Sequence, residues 1–202
     1  SGPFSQKDLH RRIRLAKERQ KFSNIEISPK IVDRSKNVQV VKQILHHLES
    51  GNRKALINMA TGTGKTRVAM AIIEALIRAR YIQNVLFVVD RIGLGKQASD
   101  AFESFLRGEP KTILNEFRDF DMDKRVYVST VQTLMGKDKE TGHKFQKFSP
   151  GFFDLIIFDE AHRSYYDRQN LVMQYFDSIK IGLTATPLKG EIRDTFDLFD
   201  CE

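Results

Sequence analysis

Ala55-Leu56-Ile57-Asn58-Met59-Ala60-Thr61-Gly62-Thr63-Gly64-Lys65-Thr66 decides the fold of this chain, because an apolar run, a glycine turn and a Lys-Thr pair follow one another without interruption. Gly62 and Gly64 let the backbone close into a tight concavity whose amide hydrogens converge on one anion, with Thr63 between them in the same turn. Lys65 adds a formal positive charge, Thr66 offers a hydroxyl to a hard cation such as magnesium, and the helix that follows presents its amino end to the same anion. The segment reads as strand, phosphate-binding loop, helix. That helix is predicted from Thr66 to Arg80, with Val68, Ile72, Ala75, Leu76 and Ala79 on its buried side. Met59 stands where the general pattern has glycine, a departure that leaves the phosphate-contacting positions intact. A glycine turn between unrelated elements is the plain alternative, and Gly-Lys-Thr at the turn argues against it.

Working outward, the chain alternates strand-like and helix-like segments. Val85 to Val89 is a continuous apolar run bounded by Asn84 and Asp90, as expected of a parallel strand covered on both faces. A helix is predicted from Gly95 to Leu106, and shorter apolar runs follow at Lys111 to Leu114, Val126 to Ser129, Leu155 to Phe158 and Ile181 to Leu183. This alternation predicts an α/β fold, a mostly parallel, doubly wound sheet with helices on both faces. Gly136 to Gly151, rich in Lys, reads as the longest surface loop. Before the phosphate loop, Ser5 and Asp8 have capping-box spacing for a helix in which Leu9, Ile13 and Ala16 share one face, a stripe that implies docking. Arg11, Arg12, Arg14 and Arg19 largely avoid that face. Asn24 to Ser35 reads as a linker, and Lys36 to about Ser50 as a second helix. The organisation expected is a basic helix and linker over 1–35 and one lobe over 36–202.

A hydrophobic content of 41% with 15 Phe among 202 residues is enough for a real core. No stretch approaches the roughly 20 apolar residues needed to cross a bilayer, and the single cysteine, Cys201, fits a reducing compartment, so no membrane partner and a cytoplasmic location are expected. The formal charge is +7, yet residues 1–36 alone carry ten Lys/Arg against four Asp/Glu. The basic excess therefore belongs to the amino-terminal segment, as a solvated helix or as a phosphate-contacting arm.

Two later words complete the pattern. Leu155 to Phe158 carries Asp159-Glu160-Ala161-His162 to the carboxyl end of a buried strand, where open parallel sheets place their ligands. Two adjacent acids there call for a cation. Asp159 is assigned to the magnesium shell and Glu160 to orienting and deprotonating an attacking water, while a solvated acidic turn is the plain alternative. His162 reads either as a hinge between nucleotide state and the rest of the protein or as a local cap. Thr184-Ala185-Thr186-Pro187 follows Ile181-Gly182-Leu183, so the hydroxyls of Thr184 and Thr186 are placed at the same sheet edge as coupling groups.

Together, the three words resemble motifs I, II and III of superfamily 2 helicases and translocases, in the order and spacing of the first RecA-like lobe, over about residues 36–199. Met59 to Thr66, Val88 to Arg91, Ser129 to Leu134, Asp159 to Ser164 and Arg193 to Phe196 further resemble the motor (R) subunit of type I restriction enzymes, the Arg163-Ser164 extension most tellingly. That resemblance implies a P-loop NTPase lobe using ATP and Mg2+ to move double-stranded DNA, beside a second RecA-like lobe, a nuclease domain and methyltransferase/specificity subunits. By motif position it makes Arg91, Ser129 and Thr130 DNA-backbone contacts. A local ion pair at Asp90-Arg91 and a helix cap at Ser129-Thr130 are the alternatives. Gln39 lies where superfamily 2 proteins place an adenine-recognising glutamine, although Lys42 and Gln43 fit that pattern poorly. Neither the second lobe, which donates the arginine that stabilises the transferring phosphoryl group, nor the nuclease motif is found in these residues. The expectation is a fragment that binds nucleotide weakly, hydrolyses it slowly, and neither translocates nor cuts. Lobe 1 of another DNA or RNA helicase, or a nucleotide-dependent docking module, are the competing readings.

Overall fold

A computed structural model describes residues 4–60, 62–89, 111–113, 124–159 and 166–185. Within them, six strands form one parallel sheet: β1 (Lys54–Asn58), β2 (Val85–Val89), β3 (Lys111–Ile113), β4 (Val126–Thr130), β7 (Leu155–Asp159) and β8 (Ile179–Thr184). Their order is β1-β8-β7-β2-β4-β3. Two further strands, β5 (Lys137–Asp138) and β6 (Gly142–His143), pair as a small antiparallel hairpin. The helices are α1 (Gln6–Glu18), α2 (Ser35–Glu49), α3 (Lys65–Arg78), α4 (Val131–Leu134) and α5 (Tyr166–Tyr175).

Side-chain alternation along the strands builds two cores, one on each face. Val85, Phe87 and Val89 of β2, with Leu155 and Ile157 of β7, join Val41 and Leu45 of α2 and Val68, Ile72 and Leu76 of α3. Leu86 and Val88, with Ile156 and Phe158, join Leu134, Val172, Met173 and an aromatic cluster on the other side. The doubly wound architecture is the consequence. Helix α3 stops two residues before the predicted end because Arg80 takes a left-handed φ of +57°. Tyr81 N then donates to Leu76 O and Arg80 N to Ile77 O, which closes the last turn.

Three sequence expectations are corrected. The stripe Leu9, Ile13 and Ala16 does not dock: Leu9 is 46% and Ile13 53% exposed, whereas Asp8, Arg11 and Leu15 are buried. Helix α1 turns its charged face inward because the terminal guanidinium nitrogens and the Asp8 carboxylate there have partners, although Arg11 Nε and Arg12 Nε have none among the described residues. Arg11 donates to Asp8 Oδ1 at 3.1 Å, to Gly151 O at 2.6 Å and to Asp154 Oδ1 at 3.2 Å. Arg12 pairs with Asp177 at 2.6 Å, so two of the arginines expected in solvent hold the helix to the lobe. The predicted capping box is present, with Ser5 Oγ accepting from Asp8 N at 3.2 Å and Asp8 Oδ2 accepting from Ser5 N at 3.1 Å.

The segment taken as a linker packs too. Ile31 and Val32 are 2% exposed, and just before them Phe22 stacks on Tyr81 with ring centroids 4.2 Å apart. Contacts therefore run across the 35/36 division. Lastly, Gly136 to Gly151 is not a plain surface loop. Its hairpin leads into a 3-10 turn at Lys144–Lys147, and Phe145 and Phe148 are buried against aromatic rings, Phe148 lying 4.8 Å from Phe153 and 5.5 Å from Tyr127.

Candidate nucleotide-binding site

Strand β1 delivers the chain to the phosphate loop at the carboxyl edge of the sheet, and α3 begins at Lys65. Gly62 and Gly64 have φ of +75° and +101°, in the left-handed region that the sequence reserved for glycine. Thr63 closes the turn: its Oγ1 donates to Ala60 O at 2.6 Å and its N to the same oxygen at 3.2 Å. Val68 N donates to Gly64 O at 3.0 Å, so the amides before it lie in a first turn that has no intrahelical acceptors. Those amides form the anion cradle. Lys65 is buried at its rim and Thr66 is half-buried, one residue into the helix. Met59, the departure from the glycine pattern, extends the ladder instead: its N donates to Thr184 O at 2.9 Å and its side chain packs on the core.

Asp159 ends β7, two strands from β1, with β8 between. Asn58 is in register with Thr184, and Asp159 with Leu183, so the loop, Thr184 and Asp159 meet at one edge. Adjacent strands lie about 4.8 Å apart, which puts the ends of β1 and β7 about 10 Å from each other. That gap suits a metal-bound phosphate. One carboxylate and one hydroxyl, completed by nucleotide oxygens and water, is the sparse donor set that magnesium accepts. No cluster of three or more His, Cys, Asp or Glu that could hold a metal occurs among the described residues. Thr184 is buried at 4% exposure. Glu160, His162, Thr186 and Arg91 lie outside the described residues.

Ser129 and Thr130 end β4 and are 2% and 5% exposed. Thr130 caps α4, its Oγ1 accepting from Thr133 N at 3.1 Å. The structure thus gives Thr130 the capping role that was the alternative to a DNA contact, and buries the Ser129 hydroxyl. Gln39 is exposed on α2. The α2 residue that reaches the loop is Asn37, which sequence reasoning passed over. Its Nδ2 donates to Thr63 O at 3.1 Å, and a Cβ on Gly64 would sit 3.0 Å from the same nitrogen. A signal was present, because Asn37 shares the inward register of Val41, Leu45 and Leu48, and a polar residue there needs a buried partner.

The fold and loop define an ATP-binding RecA-like lobe of the superfamily 2 helicase class. Residues 30–189 match the family described as type III restriction enzyme, res subunit, and the chain belongs to that family. It is similar to the type I restriction enzyme EcoKI endonuclease subunit of Escherichia coli K12, with 33% identity over 172 residues, covering 73% of this chain and 14% of the relative. The type I restriction enzyme EcoAI endonuclease subunit of Escherichia coli is 30% identical over 167 residues, covering 80% of this chain and 20% of that protein. The chain therefore spans a fifth or less of these relatives. Among solved structures, the Sulfolobus solfataricus SWI2/SNF2 ATPase core in complex with double-stranded DNA aligns with a TM-score of 0.67 and 17% identity, over 82% of this chain and 34% of that one. That likeness concerns the fold.

Proposed function

We propose that this chain is the first motor lobe of an ATP-dependent double-stranded DNA translocase, the endonuclease subunit of a type I restriction enzyme acting in the cytoplasm. The observation that carries the reading is the meeting of the phosphate loop with Thr184 and Asp159 at one sheet edge, tied by the Met59 to Thr184 hydrogen bond. The similarity to restriction endonuclease subunits selects this motor from others of its class. Lobe 1 of another superfamily 2 helicase remains the competing assignment.

In this reading the loop amides and Lys65 bind the β- and γ-phosphates of ATP, and Thr66 and Asp159 hold Mg2+. The metal, when bound, neutralises charge developing on the phosphate oxygens. Glu160, adjacent to Asp159 in sequence, orients the attacking water and takes its proton. His162, Thr184 and Thr186 report the γ-phosphate to the rest of the motor, and Arg91 contributes to holding the DNA backbone. Gln39 is not assigned to adenine, since Asn37 takes the loop-facing position. A second RecA-like lobe supplies the charge-stabilising arginine, worth about 10³ to 10⁵ in rate for related hydrolases, so this lobe alone turns over slowly. The nuclease domain and the methyltransferase and specificity subunits are the proposed neighbours in the whole enzyme.

A fluorescent ATP analogue titrated against the chain tests the site. Lys65→Ala is expected to lose binding, whereas Glu160→Gln retains it and abolishes turnover in the whole motor. Unchanged nucleotide affinity in Lys65→Ala removes the loop from the proposal. Stimulation of the whole motor by RNA and not by duplex DNA transfers the lobe to an RNA helicase.

A further inference from the structure

The cations of the amino-terminal segment are only partly accounted for by Arg11 and Arg12. A cleft of about 870 Å³ lies between α1 and the strand ends opposite the phosphate loop. One wall is α1, with Lys7, His10 and Arg14. The other is formed by Gln83 and Asn84, immediately before β2, and by Lys124 and Arg125, immediately before β4, and Lys147 also lines the cleft. A five-residue strand spans about 15 Å, so the cleft and the nucleotide edge are on opposite sides of the lobe.

We infer that this cleft binds the phosphodiester backbone of a nucleic acid, as a second site distinct from the nucleotide edge. Among the described residues, its lining contains one carboxylate, Asp8, against five Lys/Arg besides Arg11. The Asp8 oxygens already accept from Ser5, Ser149 and Arg11. Arg14 Nη2 donates to Gln83 Oε1 at 2.6 Å, which bridges the two walls and holds the guanidinium at the mouth. Lys147 pairs at 2.7 Å with Asp138, a carboxylate that is not part of the described lining and partly offsets its charge. A concave surface with an excess of cations focuses its field on an anionic ligand.

The shape selects the kind of anion. Among the described residues of the lining, the large apolar side chain is Phe152, and at 8% exposure it offers no open socket for the anchor residues of an acidic protein helix. Lys7, His10 and Arg14 recur at one-turn intervals. Lys7 and Arg14 are about 10 Å apart along the helix axis, enough to meet successive phosphates that repeat at about 3.4 Å per strand.

The test is anisotropy of a labelled 20-base-pair duplex, a single-stranded RNA of the same length and a labelled poly-glutamate, each titrated with the chain over a salt series. Lys7→Glu/Arg14→Glu/Lys124→Glu is compared with Lys42→Glu/Lys137→Glu/Lys139→Glu, which changes charge equally at exposed positions outside the cleft. The cleft variant is expected to weaken nucleic-acid binding about tenfold or more and to flatten the slope of log affinity against log salt by about 2 to 3, with the control within threefold of the parent. Tighter binding of duplex or of RNA identifies which backbone is held. Equal losses in the two variants, or poly-glutamate binding as tightly as nucleic acid, overturn the inference. Should the reversal lower the melting temperature, the Gln versions of the same three positions are expected to show the flattened slope, and an unchanged slope there also overturns it. Lys65→Ala is expected to leave the cleft's binding intact, so failure of the ATP-site reading and failure of this one give different results.

Discussion

Gly64 carries two constraints at once, a φ of +101° and an Asn37 Nδ2 only 3.0 Å from where a Cβ would stand. Gly64→Ala therefore meets backbone strain, of order 1–3 kcal/mol, and a contact that moves the loop. Nucleotide affinity in the fluorescent-analogue titration is expected to fall at least tenfold. Asn37→Ala removes the donor to Thr63 O, a hydrogen bond worth about 1 kcal/mol, and is expected to weaken nucleotide binding several-fold because the turn loses its brace. Gln39→Ala, exposed two residues further along α2, is the matched comparison and should change neither melting temperature nor affinity. Equal effects at the two positions would mean that α2 does not brace the loop. The glycines were legible in the sequence because φ above zero is a local demand. Asn37 was not, because its acceptor lies 26 residues away and the pattern that exposes it is the polar gap in an apolar register.

Helix α1 shows the same contrast at the level of an element. Its amino cap was legible from Ser5 and Asp8 alone, but the face it buries depends on acceptors about 140 residues distant, Gly151 O and Asp154. Asp154 in turn accepts from the backbone N of Gln83 at 2.9 Å and of Asn84 at 3.0 Å, so one carboxylate joins α1 to the start of β2. An apolar stripe gives the direction of docking only when the opposite face cannot be satisfied in the interior. Here it can be. Arg11→Ala leaves two buried carboxylates without their cation and is expected to cost about 3–5 kcal/mol. Leu9→Ala and Ile13→Ala, on the exposed stripe, should stay within about 0.5 kcal/mol of the parent in urea denaturation. A larger loss at Leu9 than at Arg11 would restore the docking face read from periodicity. The Gly136 to Gly151 segment escaped reading for the same reason, since the rings that bury Phe145 and Phe148 come from Tyr127, Phe153, Tyr175 and Phe176.

For the molecule as a whole, the strands and their parallel order were legible because each core strand is an unbroken apolar run that both faces can bury, while the charged joints holding α1 and α5 to the sheet were not. Those joints make stability depend on pH. Burial pushes the Asp177 carboxyl up, but hydrogen bonds and charge from Arg12 and Arg53 hold it below its ordinary value. Burial likewise opposes ionisation of Asp8, and hydrogen bonds from Ser149 and Ser5 with the Arg11 guanidinium bring it below that value. Depressed carboxylates contribute stability above pH of about 4 that is lost as pH falls through their folded values. Lys180 acts at the other end of the scale. Burial, aided by Arg53, pulls its ammonium down to about 8 from 10.5, although Nζ donates to Phe176 O at 2.8 Å and Ser178 O at 3.1 Å. The unfolded chain binds the proton more tightly than the fold does, so stability should rise as pH climbs from about 8 toward 10.5. Tyr81 and Tyr175, raised by burial, work in the opposite direction near the top of that range, because the unfolded chain ionises them first. The Lys180 effect is therefore read as a difference. The difference in urea midpoint between the parent and Lys180→Met, followed from pH 7 to pH 9.5, should shift in the parent's favour as pH rises. Parallel curves for the two proteins would show that the buried ammonium keeps its charge through this window, held by the two carbonyls at the end of α5.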